Sequence, residues 1–252
     1  MTPREVVDRI ESGQALPGGS CDRFAGYAVM GLPFRSGHVL ALRRFPASSI
    51  GPGFTTVWHR DPRGLWTFHS TVDPEFGCSR YFGGAVTQNV IAPVEIEWKG
   101  PAHFTVNVAA TLSWEIKMAD SLSTHLLNGL GSLVPESWWQ SKFVLRAVGM
   151  AARVTLRAGK VNLTGMTPNG QRFIANPRQI WLIESSHATV NGLDLGPVGP
   201  LARQARLNDF LIPQRGLFAV ARGFMESPAT NAWRPTFSNR PSFPREAPYG
   251  GR

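Results

Sequence analysis

His59 and His69 are the residues with the widest chemical reach in this chain. They sit on the two arms of a hairpin, Phe54 to Arg60 and Leu65 to Val72, joined by Asp61-Pro62-Arg63-Gly64. Asp first, Pro second and Gly fourth is type I turn chemistry with a glycine bulge. That turn sets Trp58 opposite Phe68 and Arg60 opposite Trp66, so Val57, His59, Thr67 and His69 share the other face. Two imidazoles on one face can relay a proton or grip a shared ligand. A metal would need a third ligand, and Asp61 is better used by the turn, so the pair points to acid–base work and no metal site is expected. The competing reading is two ordinary sheet histidines.

Glu184 falls on the phase of Ile180, Leu182, Ala188 and Val190 and reads as buried. A carboxylate there needs an ion-pair partner, or has a raised pKa and serves as an acid or base. Arg43 shares a phase with Val39, Ala41 and Phe45, which points it inward, where it can clamp a carboxylate. Tyr81, in the run Cys78-Ser79-Arg80-Tyr81, lies in a loop that can complete the same site. Trp58, Trp66, Trp98, Trp114 and Trp181 all occupy strand phases read as inward. Several indoles are hard to pack without gaps, and each buried N–H needs an acceptor. The expectation is an aromatic-lined cavity, with solid core packing as its alternative. A ligand-sized cavity of about 300 Å³ or more beside His59 or Glu184 would favour the first.

The elements that must position these residues are mostly strands. Residues 3–12 read as a short amphipathic helix carrying Val6, Val7 and Ile10. Gly37 to Phe45 reads as a strand, and the hairpin follows it. Residues 73–93 read as an irregular loop or short helix. From Phe104 to Met118 every even position is apolar, which predicts one long strand with one buried face. Asp120 or Ser121 caps the first of two helices over 120–150, the second bearing Trp138 and Trp139. Arg153 to Arg157 and Lys160 to Gly165 read as a hairpin. Gln179 to Val190 reads as a central strand, Gln204 to Leu211 as a short helix and Leu217 to Phe224 as the last strand. The organisation expected is an N-terminal lead-in over 1–35, one β domain over 36–226 with the helical insertion, and a Pro-rich tail over 227–252.

Motifs with strong chemistry are missing. No G-x-S-x-G elbow, P-loop or H-E-x-x-H occurs, and no Cys/His cluster has zinc spacing. No cofactor is expected. The 252 residues carry a net charge of +9, with 22 Arg against 4 Lys. The arginines are scattered and the rings lie on buried phases, so nucleic acid is an unlikely partner. With no apolar leader, no membrane-length apolar run and only Cys21 and Cys78, a cytoplasmic protein with reduced thiols is expected.

Gly64-Leu65-Trp66 matches a Gly-x-Trp signature, and with the hairpins, alternating strands and aromatic interior the chain resembles the lipocalin-like, calycin-type β-barrels. It departs from them in placing the triplet on a hairpin's return strand and in the mid-chain helical pair. The fold class expected is mainly β, an antiparallel, strongly curved sheet or barrel. The resemblance implies a hydrophobic small molecule in the interior and, in the enzymes of that group, isomerisation, cyclisation or hydration, making the chain a lyase or isomerase if it is an enzyme. An acidic ligand is expected from Arg43. The alternative is a non-enzymatic module that binds a partner or a second copy through Trp138, Trp139 and the aromatic tail.

Overall fold

The computed structural model describes residues 1–13, 15–119, 150 and 158–227. The helical pair near 120–150, with Trp138 and Trp139, therefore lies outside the described residues. So do the first arm of the hairpin at Arg153 and the tail beyond Ser227.

In chain order the elements are α1 (Pro3–Glu11), β1 (Asp22–Pro33), β2 (Val39–Ser48), β3 (Phe54–Arg60), β4 (Trp66–Ser70), α2 (Ser79–Phe82), β5 (Gln88–Ile91), β6 (Val94–Gly100), β7 (His103–Val108), β8 (Leu112–Met118), β9 (Thr164–Met166), β10 (Arg172–Val190), β11 (Leu193–Asp194), β12 (Arg206–Leu207), β13 (Phe210–Leu211) and β14 (Leu217–Glu226). Ten strands form one continuous path, β5-β4-β3-β2-β1-β14-β10-β8-β7-β6. All pairs along it are antiparallel except β4 with β5. The result is a strongly curled mixed sheet forming a half-barrel.

Chain connectivity explains the curl. Laid flat, ten strands would put the outer two about 43 Å apart at the usual spacing. Yet β5 and β6 are joined only by Ala92 and Pro93, and the steps from Ile91 to Val94 reach about 11 Å at most. The sheet has to roll until its two ends meet. Inside the roll Phe104, Trp114, Trp181 and Phe218 pack against Val29, Leu42 and Val57 as one core. α1 closes one end with Val6, Val7 and Ile10. A capping box starts it: Glu5 N donates to Thr2 Oγ1 and Thr2 N to Glu5 Oε2. Glu11 fastens it to the sheet by accepting from Arg44 Nε and Nη2 and from the Tyr27 hydroxyl.

The structure corrects several sequence expectations. The alternation from Phe104 to Met118 spans two strands, because Ala109, Ala110 and Thr111 form a turn with Ala109 at φ 43° and Thr111 N bonding Val108 O. Val108 pairs directly with Leu112. A three-residue turn preserves parity, so period two runs on unbroken through the reversal. Residues 22–33, read as part of a lead-in, form β1, which sits between β2 and β14. Gln204 to Leu211 contains no helix; β12 and β13 make a small hairpin there with Asn208 at φ 53°.

Glu184 is also corrected. β10 pairs Ile183 with Met118 and then Ser185 with Lys117, leaving Glu184 as the extra residue of a β-bulge. The bulge reverses the phase: Trp181 and Ile183 face the core before it, and Ala188 and Val190 face the same core after it. Glu184 is exposed. Its neighbour Ser186 points inward, accepting from Trp114 Nε1 at 2.8 Å and donating to Glu115 O at 2.8 Å. Replacing Ser186 by Ala should therefore orphan a buried indole N–H and cost about 1–2 kcal/mol in urea denaturation. Glu184→Ala should change stability by less than about 0.5 kcal/mol.

Candidate functional site

The cavity lies on the convex side of the sheet, outside the roll. Its floor comes from β1 and β14, where Ala28, Ala219, Ala221 and Gly223 line the space. In β14 the small residues alternate with inward-facing Phe218 and Val220, so one strand face is stripped of bulk while the other fills the core. Pro177 of β10 joins the floor at a second bulge, where it removes no needed ladder bond.

The roof follows from the one parallel pairing. A parallel neighbour needs a long crossover, and the segment between β4 and β5 passes over the convex face carrying α2. It brings Cys78, Tyr81 and Phe82 down onto the cavity. Tyr81 is fixed by donating its hydroxyl to Asp22 Oδ2 at 2.8 Å. Asn169, in the turn between β9 and β10, bonds the carbonyls of Tyr81 and Arg80 and holds the crossover down. The β12–β13 hairpin adds Phe210. The cavity volume is about 90 Å³. One water needs about 10–15 Å³, so there is room for a small molecule, but the space falls short of the ligand-sized cavity of about 300 Å³ that the sequence suggested.

Arg43 is the charged centre of this wall. It is 6% exposed. Nη1 donates to Val29 O at 2.6 Å and Leu42 O at 2.8 Å, and Nη2 donates to Met30 O at 3.1 Å. The guanidinium lies 4.5 Å from the Trp58 ring centroid and 5.4 Å from that of Phe210. No carboxylate pairs with it among the described residues. Burial lowers its pKa to about 10, so it stays charged at neutral pH. Beside it, burial pushes the Cys78 thiol up to about 11, against the pull of the Arg43 charge. Trp58 Nε1, also buried, lies beside the Cys78 thiol and has no oxygen or nitrogen partner among the described residues. Among the described residues the lining also includes Arg222 and contains no histidine, carboxylate or lysine.

The structure thus brings together Arg43, Trp58 and Tyr81 and separates the other expected site residues. Trp66 packs in the same convex cluster as Trp58, at 6.5 Å between ring centroids, but does not line the cavity. Trp98, Trp114 and Trp181 belong to the opposite, concave core. The five indoles were expected around one space; alternate faces of a two-sided sheet divide them. His59 and His69 share a face, in the expected register of Trp58 with Phe68 and Arg60 with Trp66. That face is opposite to Arg43. There His38, unremarked in the sequence, stacks on His59 with centroids 5.2 Å apart and Nδ1 2.9 Å from His59 Nε2. Among the described residues no group of three or more His, Cys, Asp or Glu could hold a metal ion, and Cys21 and Cys78 are free thiols. No described helix is long and apolar enough to cross a membrane.

Sequence reasoning missed Phe24, Phe54, Phe173 and Phe210 as cavity walls. The signal that was available is the run Ala219, Ala221, Gly223: small residues at period two on a strand mark a face where something else must fit.

No family model and no curated protein matches the sequence. Among solved structures the chain is similar to the acetoacetate decarboxylase of Legionella pneumophila subsp. pneumophila str. Philadelphia 1, with TM-score 0.38 and 10% identity over 88% of this chain and 93% of that one. A second acetoacetate decarboxylase structure gives TM-score 0.39 and 10% identity over 90% and 96% of the two chains.

The histidine cluster carries a stability prediction. Burial first, and then the neighbouring His38 and His69, lower the His59 pKa to about 4; burial lowers His38 and His69 as well. A depressed pKa means that the unfolded chain binds the proton more readily, so stability holds above about pH 6.5 and falls as pH drops toward 4. Allowing for partial exposure, His59 should account for about 2 kcal/mol of that loss. Urea midpoints measured from pH 7.5 to 4 should show this decline, and His59→Phe should flatten most of it.

Proposed function

We propose that the protein binds a small, largely apolar carboxylic acid in the convex cavity, with its carboxylate on Arg43. The observation that carries this reading is a guanidinium buried among aromatic rings with no acidic partner among the described residues. Taking an unpaired charge out of water costs several kcal/mol. Three carbonyl dipoles and two ring faces offset part of that cost. An anion entering the cavity would supply the missing charge, in surroundings of low dielectric where the attraction is strong.

The remaining chemistry agrees. Arg43 uses three of its five N–H donors on carbonyls, leaving two for an anion. The Trp58 Nε1–H, with only the weakly accepting Cys78 thiol beside it, is a further donor in the same wall. Rings and alanines elsewhere suit a short acyl chain or a single ring. This keeps the ligand class implied by the resemblance to lipocalin-like barrels but moves it from the inside of the roll to its outer face. With His59 and His69 on the other face and Glu184 in solvent, the described residues place no acid–base group poised near neutrality in the cavity. The reading is therefore of a binding site rather than of an isomerase or lyase.

Benzoate and its neutral analogue benzyl alcohol test this by calorimetry, beside native mass spectrometry of the freshly purified protein for a co-purifying acid. Arg43→Met should weaken benzoate binding by about 10- to 100-fold, the worth of a charge-assisted contact, and leave benzyl alcohol nearly unchanged. Ala28→Leu, which fills the floor, should abolish binding of both while near-ultraviolet circular dichroism stays native. Unchanged benzoate affinity in Arg43→Met, or no binding of either compound to the parent protein, would sink the proposal.

A further inference from the structure

We infer that a second site, a basic groove between the β3–β4 turn and the segment leading into β12, binds a polyphosphate chain. This goes beyond the Arg43 cavity and does not depend on it. The groove has a volume of about 780 Å³ and is lined by Arg60, Lys160, Arg203 and Arg206, with no carboxylate in its lining among the described residues. Lys160, Arg203 and Arg206 are exposed and make no ion pair among the described residues. The nearest acid by sequence, Asp61, is already engaged by Arg63 Nε at 2.9 Å and Leu65 N at 2.8 Å. Arg60 is held in place by its bonds to the carbonyls of Gly37 and Asp61.

The floor of the groove is braced. Gln204 accepts from Lys160 N and donates to the carbonyls of Lys160 and Ile212. Gln214 accepts from Leu201 N and donates to Leu201 O. The two glutamines therefore lock the strands of backbone that carry the cations. Gathering four like charges around one space is unfavourable unless an anion of several charges neutralises them. The groove is bounded rather than a long stripe, and its one ring among the described residues, Trp66, is 4% exposed. It lacks the open stacking rings that single-stranded nucleic acid needs. A compact chain of two or three phosphates fits its charge and size.

Calorimetry at 150 mM salt with inorganic tripolyphosphate, with ATP, and with vesicles carrying phosphatidylinositol 4,5-bisphosphate tests the inference and separates free from lipid-borne phosphate. Saturable 1:1 binding of tripolyphosphate is expected, weakened at least 10-fold in Arg203→Ala/Arg206→Ala and unchanged in Arg9→Ala on distant α1. Both altered residues are exposed, so folding should be unaffected. ATP binding that competes with tripolyphosphate would add support. Absence of tripolyphosphate binding, binding to vesicles alone, equal affinity for orthophosphate, or equal loss in Arg9→Ala would each overturn it.

Discussion

The link of Ala92 and Pro93 between the two outermost strands is the constraint on which the architecture rests. Because the chain passes from one end of the sheet to the other in two residues, β5 and β6 must lie together, and ten strands have no choice but to roll. A rolled sheet has an inside and an outside that differ in kind. The inside is shared by most of the strands and by α1, and it fills with Trp114, Phe104 and Phe218. Among the described residues the outside is covered by the crossover before β5, by the β12–β13 hairpin and, around Met30 and Ala219, by Ala158 and Leu163.

This division explains why the two faces have such different energetics. On the inner face the Trp114 indole has Ser186 and the Tyr27 hydroxyl has Glu11, while His69 Nδ1 is buried without a partner among the described residues. The outer cavity leaves its donors partly unused: Trp58 Nε1 has only the Cys78 thiol beside it, and among the described residues Arg43 is balanced by dipoles and ring faces. A wall that holds a buried positive charge with no counterion among the described residues is poised to accept an anion. The same logic of uncompensated charge applies to the groove around Arg203 and Arg206, but in water rather than in a nonpolar wall, so the attraction there is weaker and more dependent on salt.

Local physics was legible in particular residues. Asp61-Pro62-Arg63-Gly64 dictates its turn, and through it the register that pairs Trp58 with Phe68 and places His59 and His69 on one face. Val6, Val7 and Ile10 mark the buried face of α1. Arg43 alternates with Val39 and Ala41, so its direction follows from the pleat alone. All of these depend on neighbours within a few positions, where sterics and period two leave little freedom.

What the residues could not convey was anything that depends on distant partners. Ala109 to Thr111 reverses the chain without a glycine or proline, and an odd-numbered turn hides the reversal from any count of alternation. The bulge at Glu184 exists because β10 must leave β14 and take up β8, and that exchange turned an apparently buried carboxylate out to solvent. The five tryptophans all sit on buried phases, as their size demands, but a sheet buried on both faces has two interiors. Which indole joined which was settled by the roll of the sheet and by the crossover laid over its back, because pleat parity names a face without saying what will cover it.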